Sequence, residues 1–256
     1  MHAHARPNDA ALRDASHRLT WQALLAWVDR LADQLAELDL RRGDRVAVWL
    51  PSRAESVVSL LACSRMGYVC CPSFHQNYTV SEIITLLERS AARVLIAQRG
   101  YGADASMHDL SRSIGEANAL DKTCLRKILW VDAVHPQAPI DERFCNSVSI
   151  YSGLRPADLD PDKVVYLAFT SGTTGTPKGV MHSDNSLLAN GRAMVKDWSH
   201  DHRTVLLSLS PMSHHIGTVA VEQQLVAGME LVLNDPRTKM HPLDWIIASD
   251  ASYVMG

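Results

Sequence analysis

Ten residues, TSGTTGTPKG from Thr170 to Gly179, combine three glycines, four threonines, a serine, a proline and one lysine. Gly172, Gly175 and Gly179 let a backbone approach a ligand closely, because glycine tolerates φ > 0 and carries no side chain. Successive N–H groups of such a loop can point into one concavity. Thr170, Ser171, Thr173, Thr174 and Thr176 add hydroxyls and Lys178 adds a positive charge. Together these suit phosphate oxygens, and a nucleotide polyphosphate is the natural guest. Two better-known phosphate loops are excluded. A Walker A loop needs Gly-Lys-Ser/Thr at its end, but Pro177 precedes Lys178 and Gly179 follows it, and no GxGxxG occurs anywhere in the chain.

A second candidate is PMSHHIG, Pro211 to Gly217. Adjacent histidines diverge, so His214 and His215 are not read as a metal pair, and no metal site is expected. An imidazole can hydrogen-bond a carboxylate, whereas a His-His pair is also at home in packing or on a surface. His182, in VMHSD, reads as a residue at the start of a helix, with Ser183 or Asp184 as its cap. The tryptophans at 21, 27, 49, 130, 198 and 245 read as core or rim residues, with no pocket role for Trp245.

The elements that must carry these residues alternate. KVVYLAFT (Lys163 to Thr170) is a continuous apolar strand feeding the glycine-threonine loop, and Ser183 to Trp198 beyond it is helical. VLLSLS (Val205 to Ser210) and MELVLN (Met229 to Asn234) bracket a helix from about Ile216 to Ala227. Upstream, an amphipathic helix runs from Thr20 to near Gly43, followed by strand RVAVWL (Arg45 to Leu50), a helix from Ala54 to Met66 stopped by Gly67, and strand YVCCP. Thr79 and Glu82 form a capping box for a helix ending at Ala91, which leads into RVLIA (Arg93 to Ala97). Residues 99 to 126 carry only weak helical periodicity before KILWVD (Lys127 to Asp132). Prolines 136, 139, 156 and 161 punctuate a connection at 135–162 where two subdomains can meet, and the chain stops inside an apparent strand, ASYVMG. Strand, helix, strand is the pattern of a parallel α/β sheet.

Totals narrow the partners. With 25 basic and 28 acidic residues, a formal charge of −3 and no long run of either sign, nothing marks a nucleic-acid or anionic-membrane surface. The apolar run VVSLLACSRMGYVCC is broken by Arg65 well short of a membrane span. Five cysteines without a CxxC pair read as reduced thiols, so a cytoplasmic, soluble protein acting on small molecules is expected.

TSGTTGTPKGV resembles the phosphate-binding signature of the adenylate-forming ligases, the group that contains acyl-CoA synthetases, peptide-synthetase adenylation domains and beetle luciferase. The resemblance extends to LTWQALLAWVDRLADQL, RRGDRVAVWLPSRAESVVSLLACSRMGYVCCPS and DPDKVVYLAF, in the family's order, and PMSHHIG is similar to its next signature. There the proline is followed three residues later by the active-site histidine, which selects His214, not His215, as the group near the acyl carboxylate. The fold implied is the N-terminal region of the ligase fold, an α/β system of stacked βα subdomains forming a partial AMP-binding domain over residues 1–256. The activity implied is ATP-dependent conversion of a carboxylic acid to an acyl adenylate, then to a coenzyme A thioester, with Mg²⁺ assisting. Lys178 and the loop residues 170–176 and 179 would hold the phosphates. The family's metal-placing Glu, ribose-binding Asp and C-terminal lysine domain have no match in this sequence. The resemblance therefore implies an incomplete copy, inactive alone, served by a separately encoded C-terminal half or reduced to a non-catalytic nucleotide-binding or interaction protein. A peptide-synthetase adenylation domain is the other alternative, while MHSDNSLLAN looks nearest to bacterial acyl-CoA ligases for alicyclic or medium-chain acids.

Overall fold

The computed structural model describes residues 1–131, 153, 155–170, 178–235 and 240–256. Two sheets form the frame. The six-stranded sheet contains β3 (Arg45–Trp49), β4 (Val69–Cys71), β5 (Ala92–Ala97), β6 (Lys127–Trp130), β7 (Val164–Phe169) and β8 (Gly179–Ser183), in the order β6-β5-β3-β4-β7-β8. Only β8 runs antiparallel to its neighbour. The five-stranded sheet is ordered β11-β9-β10-β1-β2, from β1 (Ala10–Arg13), β2 (Arg18–Thr20), β9 (Val205–Ser208), β10 (Glu230–Leu233) and β11 (Tyr253–Met255). Here β2 alone is antiparallel, folding back on β1.

Side chains alternate across a strand, so each sheet feeds two cores. Val46, Val48, Val94 and Ile96 of the six-stranded sheet and Leu12, Leu206, Leu231 and Leu233 of the five-stranded sheet point into one shared core. The helices α2 (Trp21–Ala36), α3 (Ala54–Met66) and α7 (His215–Ala227) fill it, with α1 (His2–Ala5) and α6 (Asp184–Asp197) packed against it. Ala47, Trp49, Val69, Cys71 and Leu95 face the opposite way, against α4 (Val80–Ser90) and α5 (Leu110–Ala119). Leu207 and Val232 do the same on the other sheet, against Trp245 of α8 (Pro242–Ser249). The layers thus run helix, sheet, helix, sheet, helix.

The helix ends follow their sequence signals. Thr20 caps α2 by accepting from Ala23 N at 3.2 Å, and Thr79 with Glu82 forms the expected capping box. Gly67 stops α3 in the left-handed conformation, φ +72°. One expectation is corrected, and two segments become clear. Helix α2 ends at Ala36, well before Gly43, because Asp39 (φ +53°) and Gly43 (φ +83°) turn the chain into β3. The stretch 99–126 contains α5, capped by Asp109. Strands β1 and β2, four and three residues long, carry too little pattern to be read from sequence.

The connection at 135–162 lies mostly outside the described residues. Strands on both of its sides belong to the six-stranded sheet, and sheet membership changes instead after β2 and after β8. Cys63, Cys70 and Cys71 are buried free thiols, and five of the six tryptophans are buried, Trp198 being half-exposed. Among the described residues no helix is long and apolar enough to cross a membrane.

Candidate functional site

Strand β7 delivers the glycine-threonine stretch. Val165, Tyr166 and Leu167 are buried, and the chain then emerges at exposed Thr170. Strand β8 returns beside it, with Phe169 opposite Gly179. Thr170 N–H donates to Lys178 O at 2.9 Å and Lys178 N–H to Thr170 Oγ1 at 3.2 Å, so the base of the loop is a closed hairpin. Ser171, Gly172, Thr173, Thr174, Gly175 and Thr176 fall outside the described residues. Lys178 is exposed beside this hairpin. Gly179, expected in the loop, is the first residue of β8. A Cβ there would sit 2.9 Å from Leu167 Cδ1, a contact that a small shift of that side chain end relieves.

The second motif meets the first at a cavity of about 400 Å³. Ala168, Phe169 and Thr170 at the end of β7, Val180 and His182 on β8, Ser73 and His75 after β4, and Ser213, His214 and His215 line it. The turn carrying the histidines is tight: a Cβ on Gly217 would lie 2.5 Å from Pro211 O, and His214 N–H donates to Pro211 O at 3.0 Å. His214 is the residue before α7, in extended conformation, and its side chain makes no cap hydrogen bond. His215 is the first residue of the helix.

Four imidazoles therefore share one cavity, as two stacked pairs. His75 and His214 lie 4.2 Å apart at 22°, and His182 and His215 lie 5.1 Å apart at 11°. Burial and the neighbouring His214 push His75 down to about 4, so it is neutral near pH 7. Burial and His182 also lower His215, whose Nδ1 lies 3.4 Å from the buried Tyr166 hydroxyl. Burial raises that hydroxyl's own pKa, so Tyr166 stays protonated.

The sequence pointed to His214 and left His215 aside, and both line the cavity. His182 directly precedes the cap of the helix at Asp184–Asp197, as a helix-entry residue should, with its Nδ1 3.3 Å from Ser186 Oγ, and as a residue of β8 it also faces the site; Ser183 is the cap as expected, accepting from Ser186 N. The i, i+2 spacing of Val180 and His182 carries that signal once β8 is known. Nothing local marks His75, which arrives by topology from β4.

The lining suits anions more than Mg²⁺. Among the described residues it offers imidazoles and hydroxyls but no carboxylate, and Mg²⁺ wants oxygen ligands. The described residues hold one group with metal-like spacing, Asp14, His17 and Glu55, but it is internally satisfied. Asp14 accepts from the N–H groups of Ser16, His17 and Ala54, and Glu55 takes a two-pronged ion pair from Arg53.

The chain matches the AMP-binding enzyme family over residues 1–255. It belongs to that family. AMP-binding relatives include the 3-hydroxypropionyl-coenzyme A synthetase of Sulfurisphaera tokodaii, 28% identical over 84% of this chain and 34% of that protein. Protein Y of Streptomyces griseus is 31% identical over 90% of this chain and 74% of its own. Among solved structures, apo MatB from Rhodopseudomonas palustris superposes with a TM-score of 0.74 at 24% identity, over 98% of this chain and 46% of MatB. The complex of VinN with L-aspartate gives 0.76 at 21% identity, over 98% and 59%. These likenesses establish the fold as that of AMP-binding enzymes. The chain spans about a third of the coenzyme A synthetase it matches and about half of the solved chains.

Proposed function

We propose that this chain supplies the phosphate-holding and carboxylate-holding walls of an ATP-dependent acid–thiol ligase. The observation that carries the reading is that Thr170, whose backbone is bonded to that of Lys178 at the base of the loop, lines one cavity with His214, from elements far apart in sequence. In the reaction, a carboxylate oxygen attacks the α-phosphorus of ATP and the bond to the β-phosphate oxygen breaks, giving acyl adenylate and pyrophosphate. The thiolate of coenzyme A then attacks the acyl carbon and releases AMP. Lys178, Thr170, the hydroxyls of Ser171, Thr173, Thr174 and Thr176 and the backbone at Gly172, Gly175 and Gly179 would hold the phosphates. Their fixed donors offset the repulsion between two anions brought together. His214 would hydrogen-bond the carboxylate. Mg²⁺, when bound to the nucleotide, would neutralise part of the phosphate charge. Reduced cysteines and soluble substrates fit action in the cytoplasm.

The test is ATP titration of the protein with Lys178→Ala and Lys196→Ala variants, alongside pyrophosphate release over a panel of carboxylic acids. ATP binding lost in Lys178→Ala and kept in Lys196→Ala supports the reading, whereas equal binding in all three proteins refutes it. Because the chain spans a third of its synthetase relative, a second reading stands beside the first. Lys178-dependent ATP binding with no pyrophosphate release from any acid would mark a nucleotide-binding protein.

A further inference from the structure

The turn that carries His214 is gripped from outside its own element. Met212 N–H donates to Ser52 Oγ at 3.1 Å, Ser213 Oγ lies 2.9 Å from His75 Nδ1, and the His75 ring lies flat against that of His214. Ser52 follows β3 and His75 follows β4, so the grip comes from the carboxyl ends of adjacent parallel strands, where such sheets present ligand-facing groups.

His75 is itself fixed. The Trp49 indole N–H donates to the His75 carbonyl at 3.1 Å, and Tyr78 packs edge-on to its ring at 5.1 Å. His214, by contrast, is exposed and its side chain makes no bond to the end of α7. The stacked partner is what restricts its ring. His215 has separate supports, Tyr166 and His182, on the other side of the cavity.

We propose that His75 is a positioning residue for carboxylate binding: anchored by Ser213, its ring holds the His214 imidazole in one orientation at the cavity wall. The inference rests on the reading of His214 as the carboxylate-holding group. His75 suits this task because burial keeps it uncharged near neutral pH, so it adds no charge beside the His214 ring. Nothing in the sequence marks it, and the strand order alone brings it to the turn.

The experiment is NMR on the full chain with labelled histidines, comparing wild type, His75→Ala and His75→Phe, with acetate, 3-hydroxypropionate and hexanoate as probe acids in the presence of AMP. Wild type should show cross-relaxation between the His75 and His214 rings. In His75→Ala the His214 signals should shift and average, the His182 and His215 signals should hold as a check of folding, and probe-acid affinity should fall about tenfold. His75→Phe keeps a flat ring against His214 and should recover most of that loss, with ATP affinity alike in all three. An unmoved His214 in His75→Ala, or a His75→Phe no better than His75→Ala, overturns the inference. Failure of every probe acid to perturb His214 in wild type sinks the carboxylate reading itself, and the positioning role with it.

Discussion

In the six-stranded sheet, β3, β4 and β5 follow one another through single helices and pair with near neighbours in the chain, whereas in the five-stranded sheet Leu12 of β1 pairs with Leu231 of β10. The first arrangement is largely local in sequence, and the second joins segments near opposite ends of the described chain, which costs more loop-closure entropy. The candidate site draws on both. Thr170, Lys178, His75 and His182 come from the six-stranded sheet and its loops, and His214 and His215 from the link between β9 and β10. The site therefore joins residues that the two sheets carry separately.

The sharpest way to break this comparison is at the non-local pairing. Leu12 is fully buried in the shared core, and Leu12→Ala should destabilise the protein by about 2–5 kcal/mol in urea unfolding. If the two sheets are unequal, a probe on Trp245 should report unfolding before one on Trp49. Coincident transitions would show a single cooperative unit instead.

Helix α7, between the sheets, offers a pH handle. Glu222 is 3% exposed, its Oε1 has no partner among the described residues, and burial lifts it to about 7, only partly offset by Asn190 at 3.2 Å. The folded protein thus binds a proton that the unfolded chain has released above its ordinary carboxylate pKa. Stability from this group is full at acid pH and falls as pH rises toward 7, by at most about 3 kcal/mol, then levels. Glu222→Gln should remove that slope and gain most over wild type at pH 8. Parallel stability curves for the two proteins between pH 5 and 8 would show that the carboxyl is solvated in solution.

At the site the effects should be smaller and split by wall. In a catalytically complete enzyme carrying this chain, Lys178→Ala should lower kcat/KM for ATP about 100-fold, the usual scale for losing one charged donor to a developing anion, while leaving urea unfolding of the chain unchanged. His214→Ala should weaken carboxylate use about tenfold and His215→Ala by less than about threefold. The reverse order of the two histidines would transfer the carboxylate to the Tyr166 side of the cavity.

What was legible in the sequence follows the same division. The helix 54–66, the box at Thr79 and Glu82 and the strands at 45 and 127 were readable because their determinants are local: caps, glycine stops and apolar runs. Strands β1 and β2 were not, since β1 pairs with a partner more than two hundred residues away and β2 is an edge strand held only by β1. The loop composition and the PMSHHIG spacing exposed two parts of the site. The stacked partners His75 and His182 stayed hidden, because a ring contact between separate strands and a distant turn leaves no periodicity in either segment.

Helix α3 has no exposed position: every residue from Ala54 to Met66 is buried or half-buried, including Glu55 and Ser59. Helix α4, on the outer layer, alternates Ile83, Leu86 and Leu87 inward with exposed Glu82, Thr85 and Glu88. Drift between homologues is therefore free on one face of α4 and nearly barred around the whole circumference of α3. A complete substitution scan would show a 3.6-residue rhythm of tolerance in α4 and a flat intolerant plateau in α3, so the segment least able to vary is one that holds none of the candidate site's residues.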